Sequence, residues 1–107
     1  MIIDFNEIKV SDLENFKGGN KVYSANIFDD GDAKIMKGKL IPGASIGYHK
    51  HEGNAEIIYV LEGVGNVRYD DDEMVVMPGC VHYCPEGHSH SLRNDGNTDL
   101  LFFAVVN

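Results

Sequence analysis

The chain is short of basic residues. Nine lysines and arginines face 17 acids over 107 residues, a net charge of -8, and the arginines are Arg68 and Arg93 alone. A surface of that sign repels nucleic-acid backbones and anionic membranes, so neither is expected as a partner. Phosphorylated substrates are disfavoured too, since no basic cluster offers itself to a phosphate. Cysteine is equally scarce, with Cys80 and Cys84 only. On one strand their Cα atoms would stand ~13 Å apart, beyond the ~7 Å a disulfide can span. Reduced thiols are expected, as in a cytoplasmic chain, and no second cysteine pair completes a thiolate zinc site. No apolar run approaches the ~20 residues of a membrane helix. The start, "MIIDFNEIKV", lacks the basic region, apolar run and cleavage site of a leader, which again points to the cytoplasm.

Helical signals are few. Ser11 with Glu14 forms a capping box over "SDLENF", but Gly18 and Gly19 follow, so at most one short helical turn is expected there. Elsewhere turn residues punctuate the sequence at the spacing of an all-β domain. "KVYSANIF" and "AKIMKGKLI" read as a hairpin through "DDGD" at 29–32. "EIIYVLEG" and "GNVRYD" read as a second hairpin through Gly63 and Gly65, and "DDDE" at 70–73 as a solvated tip. "DLLFFAVV" is apolar without alternation, which suggests burial on both faces. Such a chain makes a sandwich or a small barrel in one domain, residues 1–107.

The chemistry concentrates in "GYHKHEGNAE". His49 and His51 stand at i and i+2, so on a strand both point to one face and can share an ion. Glu56 begins the next strand after a turn with Gly53 and Asn54 and can return to the same ion. A third imidazole could come from His82, His88 or His90; spacing does not choose among them. Two alternate histidines facing solvent would give the same pattern.

Two longer patterns surround these residues. Gly43-x5-His49-x-His51-x4-Glu56-x6-Gly63 spans 43–63, and Gly79-x5-Pro85-x-Gly87-x2-His90-x3-Asn94 spans 79–94. Together they resemble the first and second motifs of the cupins, small metal-binding proteins. The resemblance implies an all-β double-stranded β-helix, or jelly-roll barrel. It also selects the metal ligands: His49, His51, Glu56 and His90. The implied cofactor is one divalent transition ion, Mn, Fe, Zn or Ni. Three neutral imidazoles and a carboxylate leave a net +1 on such a site, and a six-coordinate ion would keep two positions for water or substrate.

The leading expectation is therefore a metal-dependent small-molecule enzyme, of dioxygenase, isomerase or lyase type. The alternative is a non-catalytic module binding a sugar or other small ligand; a third possibility is a metal that only holds strands together. His88 is the candidate acid or base, its other reading being a loop histidine in solvent. His82, Cys80 and Cys84 read as buried small polar residues or as support behind the ligands. Strand parity puts Ile58, Val60, His88 and Leu92 on the pocket face, with Gly47 leaving room beside the ion. Cupins that decarboxylate oxalate carry an arginine three residues before the first histidine. Ile46 stands there, which makes oxalate chemistry doubtful. A homodimer is expected, with "LLFFAVV", Tyr48, Tyr59 and Leu61 as material to bury.

Overall fold

Alternation of apolar and polar residues decides which side of each strand turns inward. The computed structural model describes residues 1–107. Its strands are β1 (Val10–Glu14), β2 (Val22–Asp29), β3 (Lys34–Leu40), β4 (Ser45–Lys50) and β5 (Glu56–Glu62), then β6 (Gly65–Tyr69), β7 (Asp72–Val76), β8 (Val81–Cys84), β9 (Ser89–Arg93) and β10 (Leu100–Val106). They form a six-stranded sheet, β1-β2-β3-β10-β5-β8, and a four-stranded sheet, β4-β9-β6-β7. Every pairing described is antiparallel. The layout is that of a jelly-roll barrel. No helix is long and apolar enough to cross a membrane.

Between the sheets lies one core. Leu40, Ile58, Val60, Val67, Leu92, Leu100 and Phe102 are fully enclosed there. The Tyr23 and Phe102 rings stack at 5.7 Å, and Phe16 tilts against Tyr23 at 5.5 Å. Such rings carry much of the burial that holds a small barrel together.

Some expectations shift in three dimensions. The "DDGD" hairpin forms, with Asp30 Oδ1 accepting from the Asp32 and Ala33 amides at 3.0 and 2.9 Å. Ser11–Glu14, however, is strand. It pairs with β2, and Ser24 Oγ donates to Asp12 Oδ1 at 2.7 Å, so sheet pairing overrides the local capping signal. Single 3₁₀ turns flank it at Phe5–Glu7 and Phe16–Gly18. β5 and β6 do not form a hairpin, because the chain changes sheets at Gly63–Val64. β10 buries Leu100, Phe102 and Ala104 but leaves Leu101, Phe103 and Val105 half-exposed on the outer face. There the Phe5 ring meets Phe103 edge-on at 6.2 Å.

The crossing at Gly63 is sterically tight. Its φ is +83°, and a Cβ would stand 2.4 Å from the Asp99 carbonyl oxygen. Gly31 has φ +89° with open space around it. In urea denaturation, Gly63→Ala should therefore cost about 2 kcal/mol or more, and Gly31→Ala only the backbone strain of about 1 kcal/mol. Equal losses would show that the close approach at Gly63 does not matter.

Candidate metal centre

Register assembles the cluster. In the β4–β9 pair His49 stands opposite His90, after a register shift between Ile46 and His49. β5, in the other sheet, starts at Glu56, which stands opposite Cys84 of β8 and Val106 of β10. Carboxylate and imidazoles therefore approach from facing sheets. The potential ligand atoms of His49, His51, Glu56 and His90 all lie within 4.8 Å of one another. His51 and His90 bring their Nε2 atoms to 2.9 Å, and Glu56 Oε1 stands 3.2 and 3.0 Å from them.

The far side of each ring is engaged. His49 Nδ1–H donates to the Gly47 carbonyl at 2.7 Å, and His51 Nδ1–H to Asn54 Oδ1 at 2.7 Å. His90 Nδ1 lies 2.9 Å from His82 Nε2. Burial, together with the charge of His90, pushes His82 down to about 4, so it is neutral at pH 7 and its Nε2 can accept. With Nδ1 carrying the proton in all three rings, the Nε2 lone pairs face each other and a carboxylate. That arrangement needs positive charge at its centre: a metal ion, or a proton on Nε2 that hydrogen-bonds Glu56. Ligand atoms ~2.1 Å from one ion and at right angles stand ~3.0 Å apart, which matches the observed edges. The residues therefore fit a divalent ion bound by three imidazoles and one carboxylate.

Electrostatics agree. Burial would raise the Glu56 carboxyl, but hydrogen bonds and charge from His51 and His90 overcome it and hold the group down to about 2. His51 is raised by its bond to Glu56, against burial and, more weakly, the charge of Lys17. His49 is lowered, mainly by burial.

A cavity of about 290 Å³ opens onto His49, His51 and Glu56. Its walls differ from those that strand parity suggested. Ile58, Val60 and Leu92 belong to the closed core, and the apolar lining is Phe16, Tyr23, Met36, Ile46 and Val106. Gly47 leaves no free space beside the ion, since a Cβ there would sit 2.0 Å from the Lys17 carbonyl oxygen. His88 is not among the lining residues: its Nδ1 is 2.6 Å from Asp70 Oδ2 and its ring stacks on Tyr69 at 5.4 Å. Asp70 is thus more than a solvated tip. Cys80 and Cys84 are free thiols, and burial pushes Cys84 up to about 11. Arg68 lies over the Tyr48 ring at 3.9 Å and Arg93 pairs with Glu73, so neither reaches the cavity. Sequence reasoning passed over Asn54, Tyr23 and Lys17. Asn54 could have been found, lying between two ligands; Tyr23 and Lys17 precede both motifs and carry no local signal.

The buried His82 gives a pH signature after metal is stripped with a chelator. Its folded value lies near 4 against an ordinary ~6.5, so as pH falls the unfolded chain takes up the proton first. Stability present above pH ~6.5 should be lost between there and pH ~4. His51 acts with opposite sign: its contribution is complete below ~6.5 and lost as pH rises through its raised value. Melting temperatures from pH 7.5 to 4.5 should show the fall, to which the lowered His49 adds with the same sign, and His82→Gln should make it shallower. An unchanged slope in the variant would contradict the assignment.

Residues 36–106 match the Cupin domain family. The chain is 37% identical to an oxalate-binding protein of Thermotoga maritima, over 99% of this chain and 93% of the relative. It superposes on the crystal structure of a predicted oxalate decarboxylase from Thermotoga maritima with a TM-score of 0.91 and 35% identity, covering 99% and 97% of the two chains. A cupin 2 conserved barrel domain protein from Rhodopseudomonas palustris shares the fold at TM-score 0.79 and 17% identity, over 94% and 72% of the chains. With both motifs folded into one cluster of three histidines and a glutamate at the open end of a two-sheet barrel, the chain belongs to the cupin family.

Proposed function

We propose that the protein holds one divalent transition ion, of the Mn, Fe, Zn or Ni class, on His49, His51, Glu56 and His90, and uses it to bind a small oxalate-class anion. The observation that carries the reading is the convergence of ligand atoms from four residues within 4.8 Å, with two Nε2 atoms 2.9 Å apart and each beside the Glu56 carboxylate. When bound, such an ion attracts carboxylate oxygens and acidifies a coordinated water. The chain's own residues do the rest. Gly47, Asn54 and His82 fix the ring tautomers; Phe16, Met36, Ile46 and Val106 exclude water from part of the cavity; its small volume restricts it to small ligands. The names of the relatives support oxalate as a ligand, where Ile46 alone argued against oxalate chemistry. The arginine associated with decarboxylation remains absent, so the two observations separate binding from that reaction.

Turnover is the second reading. Besides the ligands, Glu52 is the one carboxylate on the cavity lining; it is exposed and stands 3.9 Å from Lys50. An enzyme would have to move protons through Glu52 or a metal-bound water, and His88 has no place in that route. We also infer a cytoplasmic homodimer, with reduced cysteines. Its support is an outer face where Tyr83, Ile57, Tyr59 and Val81 pair across β5 and β8, all 40–60% exposed. Tyr48, on β4 of the other sheet, does not belong to that face.

Elemental analysis of untagged protein should find one ion per chain, and calorimetry should show oxalate binding that disappears on chelation. His90→Ala should abolish tight metal binding, and Asn54→Ala should weaken it by about 10- to 100-fold. A protein that takes up none of these ions at neutral pH would overturn the reading. Oxalate consumption with the native ion would turn it from binding to catalysis. Light scattering should give twice the chain mass, falling to the monomer value in Tyr83→Glu; a monomeric wild type would dismiss the dimer.

A further inference from the structure

We propose that Lys17 is the group through which this cavity selects a small dianion, by receiving the carboxylate that faces away from the histidine cluster. The inference rests on the anion-binding reading above and names the residue that gives it specificity. Three lysines line the cavity: Lys17, Lys34 and Lys50. In a chain of net charge -8 that is a local excess of cations. Lys50 stands 3.9 Å from Glu52, whereas Lys17 and Lys34 enter no ion pair. Neither arginine reaches the cavity. The permanently cationic side chains that a carboxylate meets there are therefore lysines.

Of the two unpaired lysines, Lys17 is the one on a turn packed against the strand that carries His49. It sits in the 3₁₀ turn Phe16–Gly18, which packs on β4. Its carbonyl oxygen lies so close to Gly47, two residues before His49, that a Cβ there would be 2.0 Å away. Gly19 is pressed as closely on the Ser45 carbonyl, at 2.1 Å for a Cβ. Asn20 and Ser45 also exchange hydrogen bonds, Asn20 N to Ser45 Oγ and Ser45 N to Asn20 O, both at 2.9 Å. The turn therefore cannot slide along β4. Lys17 adopts φ +56°, and Asn15, two residues earlier, φ +50°. Asparagine tolerates that region, and Asn15 uses it to donate to the Gly19 carbonyl at 3.0 Å. Lys21, off the cavity lining, has the same φ of +56°, so the conformation belongs to the path of this turn. What the turn achieves is to set the Lys17 side chain on the cavity wall with His49, His51 and Glu56, its ammonium 5.5 Å from the Phe16 ring centroid. Lys34, at the start of β3, stands opposite Val106, which in turn stands opposite Glu56, and so approaches the cavity from the other sheet.

A point charge on a flexible stem can follow a carboxylate at slightly different distances from the ion, and the small cavity keeps those distances short, so the class is a two- to three-carbon dicarboxylate. The test titrates oxalate into the metal-loaded protein at low salt, comparing wild type with Lys17→Met, Lys17→Arg and Lys34→Met. Metal stoichiometry and melting temperature are read on each. Lys17→Met should bind oxalate about tenfold or more weakly, the scale of one charge-assisted hydrogen bond. Its metal affinity should be unchanged or slightly higher, and its oxalate affinity should depend less on salt. Lys17→Arg should retain most of the affinity, which also controls for folding. If Lys17→Met binds oxalate as wild type does, or Lys34→Met loses as much, the assignment to Lys17 is overturned while the anion site stands. If metal-loaded wild type binds no oxalate, the anion reading itself fails.

Discussion

Two imidazole nitrogens that face each other across 2.9 Å set the terms for the rest of this barrel. Left alone, His51 Nε2 and His90 Nε2 would repel, and Glu56 would add negative charge to the same point. The surrounding structure nevertheless enforces the arrangement. Backbone register places His90 opposite His49, Asn54 and His82 hold the ring protons on the outer nitrogens, and burial removes the water that could intervene. Buried polar groups so constrained are costly unless a partner is supplied. The cost is accepted by a fold whose remaining interior is ordinary: an apolar core with every buried side-chain polar atom satisfied.

The cluster itself was legible in the sequence because its residues occupy fixed offsets inside two short motifs. Parity alone placed His49 and His51 on one face, but did not decide among His82, His88 and His90, of which His88 turns to Asp70 and the other two stay at the cluster. The structure shows why both were reasonable: His90 meets Glu56 while His82 sits directly behind it. The walls of the cavity were not legible. Tyr23, Met36 and Lys17 come from β2, β3 and a 3₁₀ turn far from either motif, brought in by sheet curvature that no local pattern encodes. Ser11–Glu14 departs from its local signal for a related reason, since a capping interaction of about 1 kcal/mol cannot compete with a five-residue ladder to β2. The β5–β6 crossing resembles a hairpin in sequence because a glycine at positive φ serves a sheet-to-sheet passage as well as a tight turn.

Charge is distributed against the overall balance. The acids gather at turns such as 29–32 and 70–73 on the exterior, while lysines stand at the cavity. An acidic protein can therefore attract a small anion locally, because screening limits the influence of distant surface charges to roughly 8–10 Å at ordinary ionic strength. The side chains nearest the entrance decide what enters.

The ligands are unevenly spread along the chain. His49, His51 and Glu56 fall within eight residues, whereas His90 lies 39 residues beyond His51. An unfolded chain can thus gather the first three around an ion by itself, weakly, but cannot recruit the fourth without closing a long loop. Metal present during synthesis meets a partial chelate before the barrel exists. What the ion contributes to the folded state is then only the affinity gained when β9 docks beside β4, because binding shared by both states cancels. With an ion on these four ligands, the last histidine to leave the ribosome, rather than the conspicuous pair that precedes it, would couple metal to fold.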